Sequence, residues 1–174
     1  MYLGLGGNLG DPIEQLICAR SMLYAMPGAI AGRCSGFYSS SPVGYDEQPD
    51  FINCVIELKV DVSPVTLLNQ VQAIENRLGR KRVAGNQNAP RLIDIDLLLY
   101  GDQDIDSERL TLPHPRMTER LFVLRPLLDL LESDFYASCL EREAFVGQLI
   151  QPLTMNLNAG VKRHLSPHAV MTKG

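Results

Sequence analysis

Between Pro90 and Gly101 the chain reads Arg-Leu-Ile-Asp-Ile-Asp-Leu-Leu-Leu-Tyr, and this segment admits few conformations. Its apolar and β-branched content, closed by a proline and a glycine, predicts a strand. Side chains alternate along a strand, which sends Ile93, Ile95, Leu97 and Leu99 to one face and Asp94 and Asp96 to the other. At strand rise the two aspartate Cβ atoms would stand about 6–7 Å apart, near enough to lean on one cation or a pair. Asp is disfavoured in strands and adjacent like charges repel, so a compensating charge is required. Oxygen donors of this kind suit Mg²⁺, which one or two carboxylates hold together with substrate phosphates. Taken alone, Asp-Ile-Asp fits a strand with a solvated acidic face better than a site. Its neighbours shift the balance.

Those neighbours are basic. Residues 77 to 125 hold nine of the sixteen Lys and Arg: Arg77, Arg80, Lys81, Arg82, Arg91, Arg109, Arg116, Arg120 and Arg125. Arg dominates, as expected where a planar fork grips phosphate oxygens. A carboxylate pair for Mg²⁺ beside several arginines is the equipment of phosphoryl-type transfer, a chemistry of positioning and charge neutralisation. Nucleic acid does not account for the cluster. The net charge is −4, and acidic residues interleave with the arginines, so no basic stripe forms.

A length of 174 residues with 45% hydrophobic content fits one globular domain, placed at residues 1–153, with 154–174 as a weakly structured tail lacking a clear period. Cys18, Cys34, Cys54 and Cys139 form no C-x-x-C pair, which predicts reduced thiols. The N-terminus has no basic leader, and no apolar run reaches membrane-spanning length, so a cytoplasmic location without membrane contact is expected.

The chain starts with a strand over Tyr2 to Gly6. Asp11, Pro12 and Glu14 then open a helix that Pro27-Gly28 ends. Ala29 to Ser41 reads as extended. Phe51 to Val60 is a strand with Asn53, Val55, Glu57 and Lys59 on one face. Ser63-Pro64 opens a second helix that stops at Gly79. The polar segment Arg80 to Pro90 has little to bury and is expected to be a mobile loop, ordered by nucleotide. A helix begins at Thr118 or Glu119 and runs through Leu131, bent or interrupted near Pro126. Helices on one side of a mostly antiparallel sheet make an α+β sandwich of ferredoxin-like type.

Two other motifs compete for attention. Gly4-Leu5-Gly6-Gly7-Asn8-Leu9-Gly10 falls between strand and helix, but Leu9 breaks the G-x-G-x-x-G register, and no Asp or Glu occurs from Gln15 to Tyr45. A tight strand-to-helix turn explains these glycines better than a phosphate cradle. His114, between Pro113 and Pro115, is held on a stiff loop among arginines, where a structural and a ligand-contact role are equally placed.

Several ordered segments together resemble the hydroxymethyldihydropterin pyrophosphokinases of folate biosynthesis. They include Gly6-Gly7-Asn8-Leu9-Gly10-Asp11, Gln48-Pro49-Asp50-Phe51-Ile52-Asn53, Pro90-Arg91-Leu92-Ile93-Asp94-Ile95-Asp96, Leu112-Pro113-His114 and Arg120-Leu121-Phe122-Val123-Leu124. The match is collinear from about Tyr2 to Leu131. It implies transfer of an intact pyrophosphoryl group from ATP to the hydroxymethyl oxygen of a reduced pterin, releasing AMP, by a monomer. Asp94 and Asp96 would hold two Mg²⁺ ions, and Arg80 and Arg91 would stabilise the transferring group. Gln72, Glu75, Leu97 and Arg109 would line the ATP site with Thr111, His114 and Arg120, and Arg82 would add a loop contact. Phe51 and Phe122 would sandwich the pterin, while Asn53, Ser40, Ser41 and Val43 would read its polar edge.

Three positions depart from the family pattern. Gly7 replaces a usual serine, with little effect expected. Pro115 stands where an aromatic often follows the histidine. Asn86-Gln87-Asn88-Ala89 replaces an Arg-Trp-Gly-like stretch, and the chain has no Trp. A ferredoxin-like module that senses a nucleotide without turnover would explain the fold and the arginines, but it would leave the aspartate pair idle.

Overall fold

Residues 1–42, 47–80, 89–132 and 161–165 are described by the structure, a computed structural model. Strand β1 (Tyr2–Gly7) leads into helix α1 (Pro12–Tyr24), then β2 (Ala29–Cys34), β3 (Phe37–Ser40) and β4 (Phe51–Val60). Helix α2 (Pro64–Arg77), β5 (Asp94–Leu99), β6 (Ile105–Asp106) and β7 (Thr111–Leu112) follow. A 3-10 turn at Met117–Glu119 precedes helix α3 (Leu121–Glu132), and β8 is Val161–Leu165.

The helix starts follow the capping residues read from the sequence. The Asp11 carboxylate accepts the Glu14 amide at 3.1 Å, and the Ser63 hydroxyl accepts the Thr66 amide at 3.2 Å. Each satisfies one of the amide donors that a helix start leaves without an intrahelical partner, and a proline follows each cap. Helix α3 continues through Pro126 rather than breaking there, and it starts at Leu121, after the 3-10 turn.

One antiparallel sheet organises the chain, in the order β5-β1-β4-β3-β8, with β2 pairing the second half of β4. Leu3, Leu5, Ile56, Ile95 and Leu97 pack on one side with Leu16 and Leu23 of α1 and Val71 and Ile74 of α2. The other side is not open. Tyr2, Val55, Leu98 and Leu99 pack there with Val123, Leu124, Leu127 and Leu130 of α3. The helices therefore lie on both faces, not one. On the face of β4 that carries Asn53, Val55, Glu57 and Lys59, Glu57 pairs with Arg33 at 2.6 Å and Asn53 turns into a cavity, which leaves Val55 to meet α3.

A second difference comes from a bulge. Tyr2 pairs with Leu99 but Leu3 with Leu97, so Leu98 is an extra residue on β5. The extra residue reverses the alternation and puts Leu99 on the α3 side instead of with Leu97. Within 154–174, Val161–Leu165 forms an antiparallel strand against β3, a pairing without a periodic sequence signal. Cys18, Cys34 and Cys54 are free thiols. No helix among the described residues is long and apolar enough to cross a membrane.

Candidate active site

Strand β5 places Asp94 and Asp96 over β1, where their cross-strand partners are Gly6 and Gly4. These glycines are strand residues, as the sequence reading placed them. Their missing side chains open a floor: a Cβ on Gly6 would stand 2.7 Å from the Asn53 side-chain oxygen. Gly7 is tighter still, because a Cβ there would run into the backbone carbonyl of Leu92. A side chain at this position would require the 91–92 segment to shift.

Above this floor lies a cleft of about 450 Å³ whose walls include Ser40, Ser41, Phe51, Asn53, Arg91 and Phe122. The Asn53 amide donates to the Ser40 hydroxyl at 2.9 Å. Arg91 and Arg120 carry their guanidinium carbons 5.4 Å and 5.8 Å from the ring centres of Phe51 and Phe122 respectively. A second recess, about 340 Å³, is lined by Gln72, Glu75, Arg80, Arg109, Thr111 and His114, with Leu97 also in its wall. Asp96 lines both. A cleft with two aromatic walls and a second, more polar recess, both bearing arginines, thus meet at one carboxylate.

The acids and arginines there alternate. Asp94 lies 2.6 Å from Arg80 and 3.2 Å from Arg91, while Asp96 accepts from Arg120 at 3.1 Å. Glu75, on α2, accepts from Arg80 as well. Burial pushes the Asp94 carboxyl above the ordinary value and the charge of Asp96 adds to it, against the pull of Arg91, Arg80 and Arg120. Burial also raises Glu75, opposed by Arg80 and the Ile95 amide. His114 is driven the other way, because burial favours the neutral ring. Its backbone amide donates to the Leu98 carbonyl at 2.9 Å, which fixes the Pro-His-Pro loop to β5.

Residues 2–132 match the family described as 7,8-dihydro-6-hydroxymethylpterin-pyrophosphokinase. The chain belongs to that family. A Bacillus subtilis relative named 2-amino-4-hydroxy-6-hydroxymethyldihydropteridine pyrophosphokinase is 40% identical over 131 residues, covering 75% of this chain and 77% of its own. A Haemophilus influenzae relative of the same name is 40% identical over 129 residues, covering 74% and 79%. The Schizosaccharomyces pombe folic acid synthesis protein fol1 is 43% identical over 129 residues, which span 74% of this chain and 17% of that protein.

The pyrophosphokinase-family residues read from the sequence fall into two groups. Ser40, Ser41, Phe51, Asn53 and Phe122 come together in the aromatic cleft, and Gln72, Glu75, Leu97, Arg109, Thr111 and His114 in the recess. Arg120, grouped with the nucleotide residues, lines the aromatic cleft and reaches Asp96 from that side. Val43 and Arg82, with the rest of residues 81 to 88 on which the expected mobile segment falls, lie outside the described residues. Sequence reasoning assigned no role to Asn8, Gln48, Arg116 or Glu119. The last three line the cleft, and Asn8 holds Gln48. Asn8 and Gln48 sit inside the segments that carry the family resemblance, which was the available signal.

Proposed function

We infer that the chain transfers the pyrophosphoryl group of ATP to the hydroxymethyl oxygen of 6-hydroxymethyl-7,8-dihydropterin and releases AMP, a step of folate biosynthesis. The observation that carries the reading is the position of Asp96, shared by a cleft lined by Phe51 and Phe122 and a recess lined by Arg80 and Arg109. Transfer between two substrates needs their reacting ends within contact of each other, and the boundary between the cavities is where they would meet.

In this reading Phe51 and Phe122 hold the pterin between their rings, and Asn53, Ser40, Ser41 and Val43 pair with its polar edge. Gln72, Leu97, Arg109, Thr111 and His114 hold the nucleotide with Arg82 and Arg120, and Glu75 stands in the same wall. Arg80 and Arg91, beside Asp94, face the group in transit and neutralise its charge. Mg²⁺, two ions with ATP, would be held by Asp94 and Asp96. The donor set supports this: Asp94 Oδ1 is buried without an aligned hydrogen-bond donor, although Arg80 lies 2.6 Å away. Both carboxylates line the same cleft, and such a pair suits a cation completed by phosphate oxygens. When bound, such a cation would lower the pKa of the attacking hydroxyl and screen the phosphates. No side chain then has to act as a strong base.

The test is AMP formation from ATP and Mg²⁺ with and without the reduced pterin. AMP that appears only with the pterin, together with a pyrophosphorylated pterin, is expected. ADP as the product, or AMP independent of pterin, would overturn the reading.

A further inference from the structure

The end of α2 is built to deliver one side chain. Gly79 takes φ +83, its amide donates to the Asn76 carbonyl at 3.1 Å, and the Arg80 amide donates to the Glu75 carbonyl at 3.0 Å. This pair of bonds is how a left-handed glycine folds a chain back over the last helical turn. It sets Arg80 over Glu75, so that one guanidinium nitrogen donates to Glu75 Oε1 while the other lies 2.6 Å from Asp94. The same Oε1 accepts the amide of Ile95, between the two aspartates, at 2.8 Å. Among the described residues β5 ends the sheet order, and its bond to Glu75 directs this amide away from β1, where it would otherwise be a buried donor without a strand partner.

The Glu75 side chain is 2% exposed. It therefore presents almost no surface to a nucleotide, although it stands in the wall of the recess. Resting on the pyrophosphokinase reading, we propose that Glu75 is a positioning residue: it clamps β5 at Ile95 and aims Arg80 at the transferring phosphates. Asp94 cannot do this alone. Once a cation and phosphates engage Asp94, Arg80 loses that partner, and Glu75, already held by the Ile95 amide, keeps the guanidinium in place.

Two variants separate the functions. Glu75→Gln keeps an acceptor for Ile95 and removes the charge that holds Arg80, whereas Glu75→Ala removes both. Glu75→Gln is expected to lower kcat about tenfold or more while the KM for ATP stays within about twofold. Combined with Arg80→Ala, it should add little to the loss from Arg80→Ala alone, because the two act as a unit. Without any turnover, NMR hydrogen exchange at the Ile95 amide should quicken about tenfold or more in Glu75→Ala and stay near wild type in Glu75→Gln. A raised KM for ATP with unchanged kcat would make Glu75 a direct nucleotide ligand and overturn the proposal. So would losses that multiply in the double variant, or Ile95 exchange unmoved in Glu75→Ala. If Glu75→Ala does not fold, the kinetics of Glu75→Gln and the shift of its Arg80 guanidinium resonance decide. A wild-type chain that made no AMP would remove the pyrophosphokinase reading, and the Ile95 exchange comparison would still test the clamp.

Discussion

Asn8 and Arg91 hold each other by reciprocal hydrogen bonds: the Arg91 amide donates to Asn8 Oδ1 at 2.9 Å, and the Asn8 amide donates to the Arg91 carbonyl at 3.0 Å. The Asn8 side-chain nitrogen donates in turn to Gln48 Oε1 at 2.8 Å and to the Pro49 carbonyl at 3.0 Å. One buried amide therefore joins the exit of β1, the segment leading to Phe51 and the segment leading to Asp94. Asn8→Ala strips a buried amide and a carbonyl of their partner, at a cost of about 2–3 kcal/mol. The urea midpoint should fall without a change in slope. Asn8→Asp, which keeps the acceptor and loses the donor, should fall between the variant and wild type. An Asn8→Ala midpoint equal to wild type would show that Asn8 does not set this junction.

Asp94 and Asp96 face the cavities, and the isoleucines between and before them face the opposite core. Replacing either by Ala should lower turnover about a hundredfold or more, because the charge that places the polyphosphate is lost. The fold should survive, with a melting shift of about 2–4 °C per kcal/mol lost. Near-normal turnover of either variant, with Mg²⁺ as the only divalent ion, would remove these residues from the metal site.

Much of this was legible in the sequence because it was local. The caps at Asp11 and Ser63, the alternation of Ile93, Asp94, Ile95 and Asp96, and the stop at Gly79 each depend on a few neighbouring residues. The long-range features were not. The side on which α3 packs was not legible, because Asn53 and Glu57 serve a cavity and an ion pair and leave Val55 as the apolar residue between them. The bulge at Leu98 has no residue signature, since three consecutive leucines fit either register. The site residues were grouped by resemblance, but the exchange of bonds between Asn8 and Arg91, 83 positions apart, is a property of packing alone.

Phe122 stands in the first turn of α3 with Arg120 over its ring, and it shares a cleft with Phe51. If the pterin stacks there, Phe122→Ala removes one of its two faces. Pterin affinity should fall about tenfold, in keeping with an aromatic contact worth about 0.5–1.5 kcal/mol beyond its area. Affinity for a non-hydrolysable ATP analogue should stay within about twofold. Calorimetric titration of each ligand checks this. Equal losses for both would point to disruption of α3 rather than to a lost stacking partner.

His114 gives the last prediction, on pH. Its Nδ1 accepts the Arg116 amide at 3.1 Å, a bond the protonated ring cannot accept at that nitrogen. Burial lowers its pKa from the ordinary 6.5, Arg120 and Arg116 reinforce the shift, and Asp96 opposes it. A histidine lowered in the folded state binds fewer protons there than in the unfolded chain, so stability increases with pH through the interval between the two values. The contribution is complete above the unfolded value and is lost as pH falls from 6.5 toward the lowered one. Asp94 and Glu75, whose values are raised, give the opposite slope at lower pH, but they are common to wild type and variant. His114→Gln keeps a side-chain acceptor for the amide and cannot titrate. Wild type should therefore lose more stability than His114→Gln when denaturation is compared between about pH 7.5 and about pH 5.5. Parallel losses in the two proteins would mean that His114 titrates as an ordinary exposed histidine and that its bond to the Arg116 amide does not persist in solution.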